Sequence, residues 1–214
     1  MPRIAAMARS LQPGLIVVDR AVEGRYQNYH TPEQEIPDVP LDHVWETCMT
    51  MATSWSYVAT DTYKPTRQLI RYLVEIVAKG GNLLLNIGPS PEGELPPASL
   101  DRLAGMADWM KVNGDAIYRT RAVPPYQEDK VRFTRMPDGT VNAIYLAGAD
   151  ETRPPETVTI RAFVPRPGSE VTMYGVKGPL AWEPVAGGFT IRVPQAARSR
   201  PPCEHAWAFH FSVE

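Results

Sequence analysis

The sequence has little cysteine, no long apolar run and no excess of charge of one sign. Its two cysteines, Cys48 and Cys203, stand far apart and make no zinc or thioredoxin-type spacing. The four histidines, His30, His43, His205 and His210, show no metal-ligand spacing either. Neither a metal nor another cofactor is therefore expected. No apolar run approaches the ~20 residues that span a bilayer. Residues 1–10 carry two arginines and no apolar h-region, so no signal peptide is visible there and the compartment stays open. Twenty-two basic residues stand against 24 acidic ones, a formal net charge of −2. That balance offers no electrostatic footprint for nucleic acid or an anionic membrane surface. Internal repeats and low-complexity tracts are missing as well.

What the chain does have is proline: 22 of 214 residues, roughly twice the usual share. Hydrophobic residues at 43% and charged residues at 21% are near globular values, so there is apolar material for a core. The length suits one large domain or two small ones, at ~100–200 residues each.

The two parts of the chain are patterned differently. Residues 2–11 read as a short helix broken by Pro13-Gly14, and Leu15-Ile16-Val17-Val18 as a strand buried on both faces. From Ala21 to Val44 the chain is polar and turn-rich, and a loop of that length in a compact domain is often functional. Leu69, Ile70, Leu73, Val74, Ile76 and Val77 recur at helical spacing and predict a helix from Thr66 to Lys79, stopped by Gly80-Gly81. A short apolar strand, Asn82 to Ile87, follows, and then a second helix from Pro97 to Val112. This rhythm is that of a parallel α/β layer or a (β/α) barrel. After Val123, period-two runs such as Val141–Leu146, Val158–Val164, Phe189–Val193 and Ala206–Phe211 alternate with Gly/Pro turns, which predicts an antiparallel β-sandwich. The expected fold is thus a partial α/β barrel over residues 1–122, followed by an all-β sandwich over 123–214.

The long loop gathers Asp19, Arg20, Glu23, Arg25, Tyr26, His30, Glu33 and Glu35, with Glu46 following Trp45. Paired carboxylates beside aromatic side chains suit glycosidic bond hydrolysis. One carboxyl gives a proton to the leaving oxygen, and a second carboxylate attacks or stabilises the anomeric carbon.

Several ordered motifs carry a family resemblance. They are Val18-Asp19-Arg20, Tyr29-His30-Thr31-Pro32-Glu33-Gln34, Trp45-Glu46-Thr47-Cys48 and Ser54-Trp55-Ser56-Tyr57. Lys79-Gly80-Gly81-Asn82-Leu83-Leu84-Leu85-Asn86-Ile87-Gly88-Pro89 continues them, as do Trp109 and Asn113-Gly114-Asp115-Ala116-Ile117-Tyr118. Together they resemble the C-terminal half of the catalytic domain of the α-L-fucosidases, the retaining enzymes of glycoside hydrolase family 29. Residues 10–120 follow the family closely, and the β-rich remainder is similar to its C-terminal sandwich.

The resemblance implies roles position by position. Glu33 matches the general acid/base of bacterial members, with Glu46 the competing candidate. Arg20 matches a substrate- and carboxylate-orienting arginine, Trp55 an aromatic residue that packs against fucose, and His30 a substrate-binding position. The implied substrate is a fucosylated glycan or glycoside, with no nucleic acid, membrane or cofactor involved. The family's nucleophile is an aspartate on a strand preceding Val17-Val18-Asp19-Arg20, and nothing before residue 15 is acidic. The expectation is therefore a truncated fucosidase, the last strands of a barrel that usually needs ~250 residues. An open parallel edge is a pairing liability, so association into a homo-oligomer is expected. The competing expectation is a non-catalytic carbohydrate-binding or assembly fragment.

Overall fold

The computed structural model describes residues 2–18, 20 and 24–213. Asp19 and Glu23 lie outside them. Helix α1 (Pro2–Leu11) is followed by β1 (Glu46–Thr50), α2 (Thr66–Ala78), β2 (Asn82–Asn86) and α3 (Pro97–Asn113). The remaining elements are β3 (Arg121–Glu128), β4 (Val131–Arg135), β5 (Val141–Leu146), β6 (Thr157–Ile160), β7 (Val171–Met173), β8 (Trp182–Val185), β9 (Gly188–Arg192), α4 (Gln195–Ser199) and β10 (Ala206–Phe211).

In the first part, β1 and β2 pair in parallel, Glu46 opposite Asn82 through to Thr50 opposite Asn86. Two irregular segments extend this pairing. Parallel bridges join His30 to Trp45 and Glu33 to Cys48, and a further one joins Val18 to Tyr29. The spatial order is residues 17–18, 28–34, 44–50 and 82–86, all running the same way. Helix α2 connects β1 to β2 and ends in a two-bond C-terminal lock, with Gly81 N–H on the Ile76 carbonyl at 2.9 Å and Gly80 N–H on that of Val77 at 3.0 Å. Gly80 adopts φ +81°. Gly81 serves a different purpose: a Cβ there would lie 2.4 Å from the indole of Trp45. Trp45, just before β1, and Met49 of β1 pack with Ile76 on the helix side of the sheet. By strand alternation, Glu46, Cys48 and Thr50 face the other way.

One expectation is corrected here. Leu15–Val18 is not a strand buried on both faces. It makes an isolated bridge, and Ile16 is 67% exposed, because no second neighbour flanks the segment among the described residues. Likewise Leu84, on the side of β2 away from α2, is 54% exposed.

The second part holds two antiparallel sheets, ordered β3-β4-β5-β10-β7 and β6-β9-β8. The five-stranded sheet is buried on both faces. Val131, Phe133, Val141, Ala143, Trp207, Phe209 and Phe211 share one hydrophobic cluster with Val158, Ile160, Phe189 and Ile191 of the smaller sheet. On the opposite face Ile144, Leu146, Ala206 and Ala208 pack with Ile70, Val74 and Trp109 of α2 and α3. Each fully buried aliphatic side chain in such a layer is worth ~1.5–3 kcal/mol. The small residues of β10 let α3 approach closely enough for Trp109 Nε1–H to donate to the Ala206 carbonyl at 2.9 Å. A bidentate pair crosses the same seam: Arg132 of β4 donates to both carboxylate oxygens of Glu75 on α2, at 2.7 and 2.8 Å.

The strand expected over Val158–Val164 is shorter than its pattern. It leaves the sheet after Ile160 because the Glu128 carboxylate takes the N–H groups of Arg161 and Ala162 at 2.8–3.0 Å.

Candidate active site

The parallel set brings Arg20 and Glu33 together. Thr31 and Glu33 sit two residues apart on one extended segment and so present to the same side. Arg20 comes from the neighbouring segment, and its Nε donates to Thr31 Oγ1 at 3.0 Å. One of its Nη groups ion-pairs with Glu33 Oε2, and the other lies 2.7 Å from Cys48 Sγ. The guanidinium thus spans three adjacent strand segments. Its pKa is raised above the ordinary arginine value, chiefly by the hydrogen bond to Glu33, so it is a fixed positive charge at this point. About half of each partner's side chain stays exposed, which leaves Glu33 accessible to a ligand.

Glu46 occupies a different level. It begins β1, on the same face as Cys48 but two residues nearer the N-terminal end of the strand, or roughly 6–7 Å along it. There it lines a cleft of about 760 Å³ with Leu73, Val77, Asn82, Leu83 and Tyr118. The two candidate carboxylates are therefore separated along the strands, Glu33 nearer the C-terminal ends. The His30 ring lies 5.1 Å from that of His43, tilted at 53°, and one of its ring nitrogens lies 3.2 Å from Gln27 Nε2.

Trp55 lies on the loop after β1. At 40% exposure it is outside the core, unlike the fully buried Trp45, Trp109 and Trp207. Asp61 ties this loop at its two ends. Its carboxylate accepts from Thr53 Oγ1, and from the N–H groups of Thr53 at 3.2 Å, Ser54 at 3.1 Å and Thr62 at 2.7 Å. These bonds, that of Thr53 foremost, hold the Asp61 carboxyl below the usual aspartate range. Lys64 closes the base of the loop, donating to the carbonyls of Thr50 at 2.6 Å and Ala52 at 2.8 Å, and burial lowers its pKa. Gly88, after β2, supports the same loop from the other side. A Cβ at that position would lie 2.5 Å from the Tyr57 nitrogen.

Sequence reasoning did not single out Thr31, Cys48, Asp61 or Lys64. The first two become neighbours of Arg20 only through inter-strand register, which no local pattern reports. Asp61 reaches back seven and eight residues to Ser54 and Thr53, a closure that no local pattern reports either. Among the described residues, no group of three or more His, Cys, Asp or Glu side chains is arranged to hold a metal ion.

This geometry coincides with a clear relationship to known proteins. The Alpha-L-fucosidase family model matches residues 1–115, and the Alpha-L-fucosidase C-terminal domain model matches residues 126–212. The chain is 38% identical over 189 residues to an alpha-L-fucosidase of Branchiostoma floridae and 32% identical over 189 residues to the tissue alpha-L-fucosidase of Mus musculus. Each alignment covers 84% of this chain and 40% of the relative, so the chain spans about 40% of the length of these relatives. Among solved structures, alpha-L-fucosidase isoenzyme 1 from Paenibacillus thiaminolyticus superposes with a TM-score of 0.83 at 26% identity, over 99% of this chain and 53% of that one. The Thermotoga maritima alpha-fucosidase gives 0.77 at 27% identity, over 96% and 47% respectively. With its first 115 residues matched by the family model and its whole length followed by fucosidase structures, the chain belongs to the α-L-fucosidase family of glycoside hydrolases.

Proposed function

We propose that the Arg20–Glu33 end of the parallel set is the acid/base side of a retaining α-L-fucosidase site. In this reading residues 1–122 are the C-terminal portion of a (β/α)8-type catalytic barrel, and residues 123–214 are a β-sandwich braced against α2 and α3. The observation that carries the reading is the three-way grip of Arg20 on Thr31, Glu33 and Cys48. It holds one accessible carboxylate toward the strand ends where barrel enzymes place their chemistry.

Glu33, protonated, gives its proton to the departing glycosidic oxygen while a second carboxylate attacks the anomeric carbon and forms a glycosyl ester. Glu33, now ionised, takes a proton from water, whose oxygen displaces that ester and releases fucose with retained configuration. The attacking carboxylate comes from the part of the family fold that this chain does not span. Trp55 offers its ring to the apolar C–H face of fucose, and His30 lies within the same set of loops as a hydroxyl partner. Glu46 is the competing acid/base.

A second reading is supported by the exposed Leu84 and the unpaired edges of the parallel set among the described residues. Here the chain binds a fucosylated glycan without turnover and covers its open edge by association with another copy. Release of nitrophenol from an aryl α-L-fucoside separates the two. Turnover that disappears in Glu33→Gln and returns with azide supports the first. Absence of turnover, with fucose still raising the unfolding temperature, supports the second. Neither turnover nor fucose protection overturns both.

A further inference from the structure

Beside the Trp55 loop lies a cleft of about 390 Å³ between the loop that follows β1 and the loop that follows β2. One wall carries Tyr57, Asp61 and Tyr63, and the other carries Ser90, Glu92 and Glu94. We propose that this cleft is a second sugar-binding site, which takes a neutral pyranose of the aglycone while fucose lies on the Trp55 side of the same loop. The proposal rests on the fucosidase reading only for calling that ring the aglycone. The cleft's affinity for a neutral sugar stands without it.

Three features of the cleft fit this ligand. First, its chemistry is that of carbohydrate recognition. Two tyrosines supply flat apolar faces with hydroxyl tips, and Glu92 and Glu94 supply hydroxyl acceptors. No lysine or arginine lines it, so a sulfated or sialylated ring meets only like charge. Second, both walls are fixed before a ligand arrives. Asp61 holds the first loop with its four hydrogen bonds. The second is held by a tight turn, in which Gly93 N–H donates to the Ser90 carbonyl at 2.9 Å and Ser90 N–H to that of Glu94 at 2.8 Å. Gly88 joins the walls by seating the second loop against the backbone of Ser56 and Tyr57. Preorganisation of this kind reduces the ordering cost of binding. Third, Tyr57 is 38% exposed and lies two residues from Trp55. Neither ring is consumed by core packing, and one short stretch of chain serves both sugars.

Asn86, whose buried Oδ1 has no hydrogen-bond partner, lines a small cavity of about 10 Å³ that Tyr57, Asp61 and Tyr63 also line. That volume suits at most a single water, which would bridge the sugar to the end of β2.

The test is titration of the purified chain with lactose, a neutral disaccharide, and with its 3′-sulfated form, followed by nuclear magnetic resonance. Saturable lactose binding is expected, with sulfated lactose weaker. Tyr57→Ala, an exposed position that leaves the core intact, is expected to weaken lactose by about tenfold. Glu92→Gln combined with Glu94→Gln is expected to narrow the gap between the two sugars. L-fucose titrated into the Tyr57→Ala protein reports on the fucosidase reading separately. Lactose binding without fucose binding removes the aglycone assignment and keeps the sugar cleft. Absence of saturable lactose binding to the unaltered chain, or lactose affinity unchanged in Tyr57→Ala, overturns the proposal.

Discussion

Arg20 and Glu33 stand on adjacent segments of the parallel set, and their ion pair, together with the Thr31 and Cys48 contacts of the same guanidinium, fixes the orientation of the candidate acid/base. Both side chains are half exposed, so the pair contributes little to fold stability and its value lies in placement. Replacing Glu33 by glutamine removes the transferable proton while preserving shape. In any fucosidase assembly that includes this chain, Glu33→Gln is expected to lower kcat/KM by roughly 10²–10⁴-fold with an unchanged unfolding temperature. Arg20→Lys keeps the charge but loses the planar fork that reaches three partners at once. It is expected to reduce the same rate while leaving the circular dichroism melt where it was.

The Gly81–Trp45 contact makes a stability prediction that is independent of the site. A methyl group at residue 81 would overlap the indole at 2.4 Å, and Trp45 is buried and hemmed in by Met49 and Ile76. Gly81→Ala is expected to destabilise the chain by ~1–3 kcal/mol, the cost of overpacking a core, as read from urea denaturation. Gly14→Ala, where no atom lies within 4 Å, is the comparison that isolates backbone strain from this clash.

Across the seam between the two parts, Glu75 and Arg132 are mostly buried and bonded at two points. Glu75→Gln leaves a guanidinium in a poorly solvated place and is expected to cost ~3 kcal/mol. The paired replacement Glu75→Leu with Arg132→Met removes both charges and is expected to restore most of that loss. A double-mutant cycle in urea measures the coupling.

The latch at Asp61 gives the Trp55 loop a pH dependence. A carboxyl whose folded-state pKa is depressed stabilises the folded loop above the unfolded aspartate value, and that contribution is lost as the pH falls through the folded-state value. The hydrogen bonds from Thr53, Ser54 and Thr62 depress Asp61 below 3.8. Acidification below the ordinary aspartate range should therefore free the loop and raise iodide quenching of the exposed Trp55. In Asp61→Asn, quenching should already be elevated at neutral pH and should lose its acid step.

Much of the α/β part was legible because its signals are local. The i, i+3, i+4 spacing of Leu69, Ile70, Leu73 and Val74 with the Gly80-Gly81 stop places α2 within a residue of its observed end. Pro97 opens α3 as its position suggests. Less legible were β3 and β8, which contain Pro124-Pro125 and Pro184. Proline argues against a strand, yet both are edge strands, where a missing N–H costs the ladder nothing. The site followed the same division. Glu33 and Trp55 were named as candidates from their motifs, whereas the partner of Arg20 was not. Its acidic neighbours in sequence, Asp19 and Glu23, lie outside the described residues. Glu33, thirteen residues away, becomes its partner only through the register that sets Glu33 opposite Cys48.

The most direct test of the acid/base assignment is to titrate the chain with L-fucose and follow the Trp55 indole and the Glu33 carboxyl by nuclear magnetic resonance. Saturable shifts at Trp55 and Glu33, unchanged signals at Glu46, and loss of the Glu33 response in Arg20→Ala are the predicted result. Saturation at Glu46 and its cleft with Trp55 and Glu33 unmoved would contradict it.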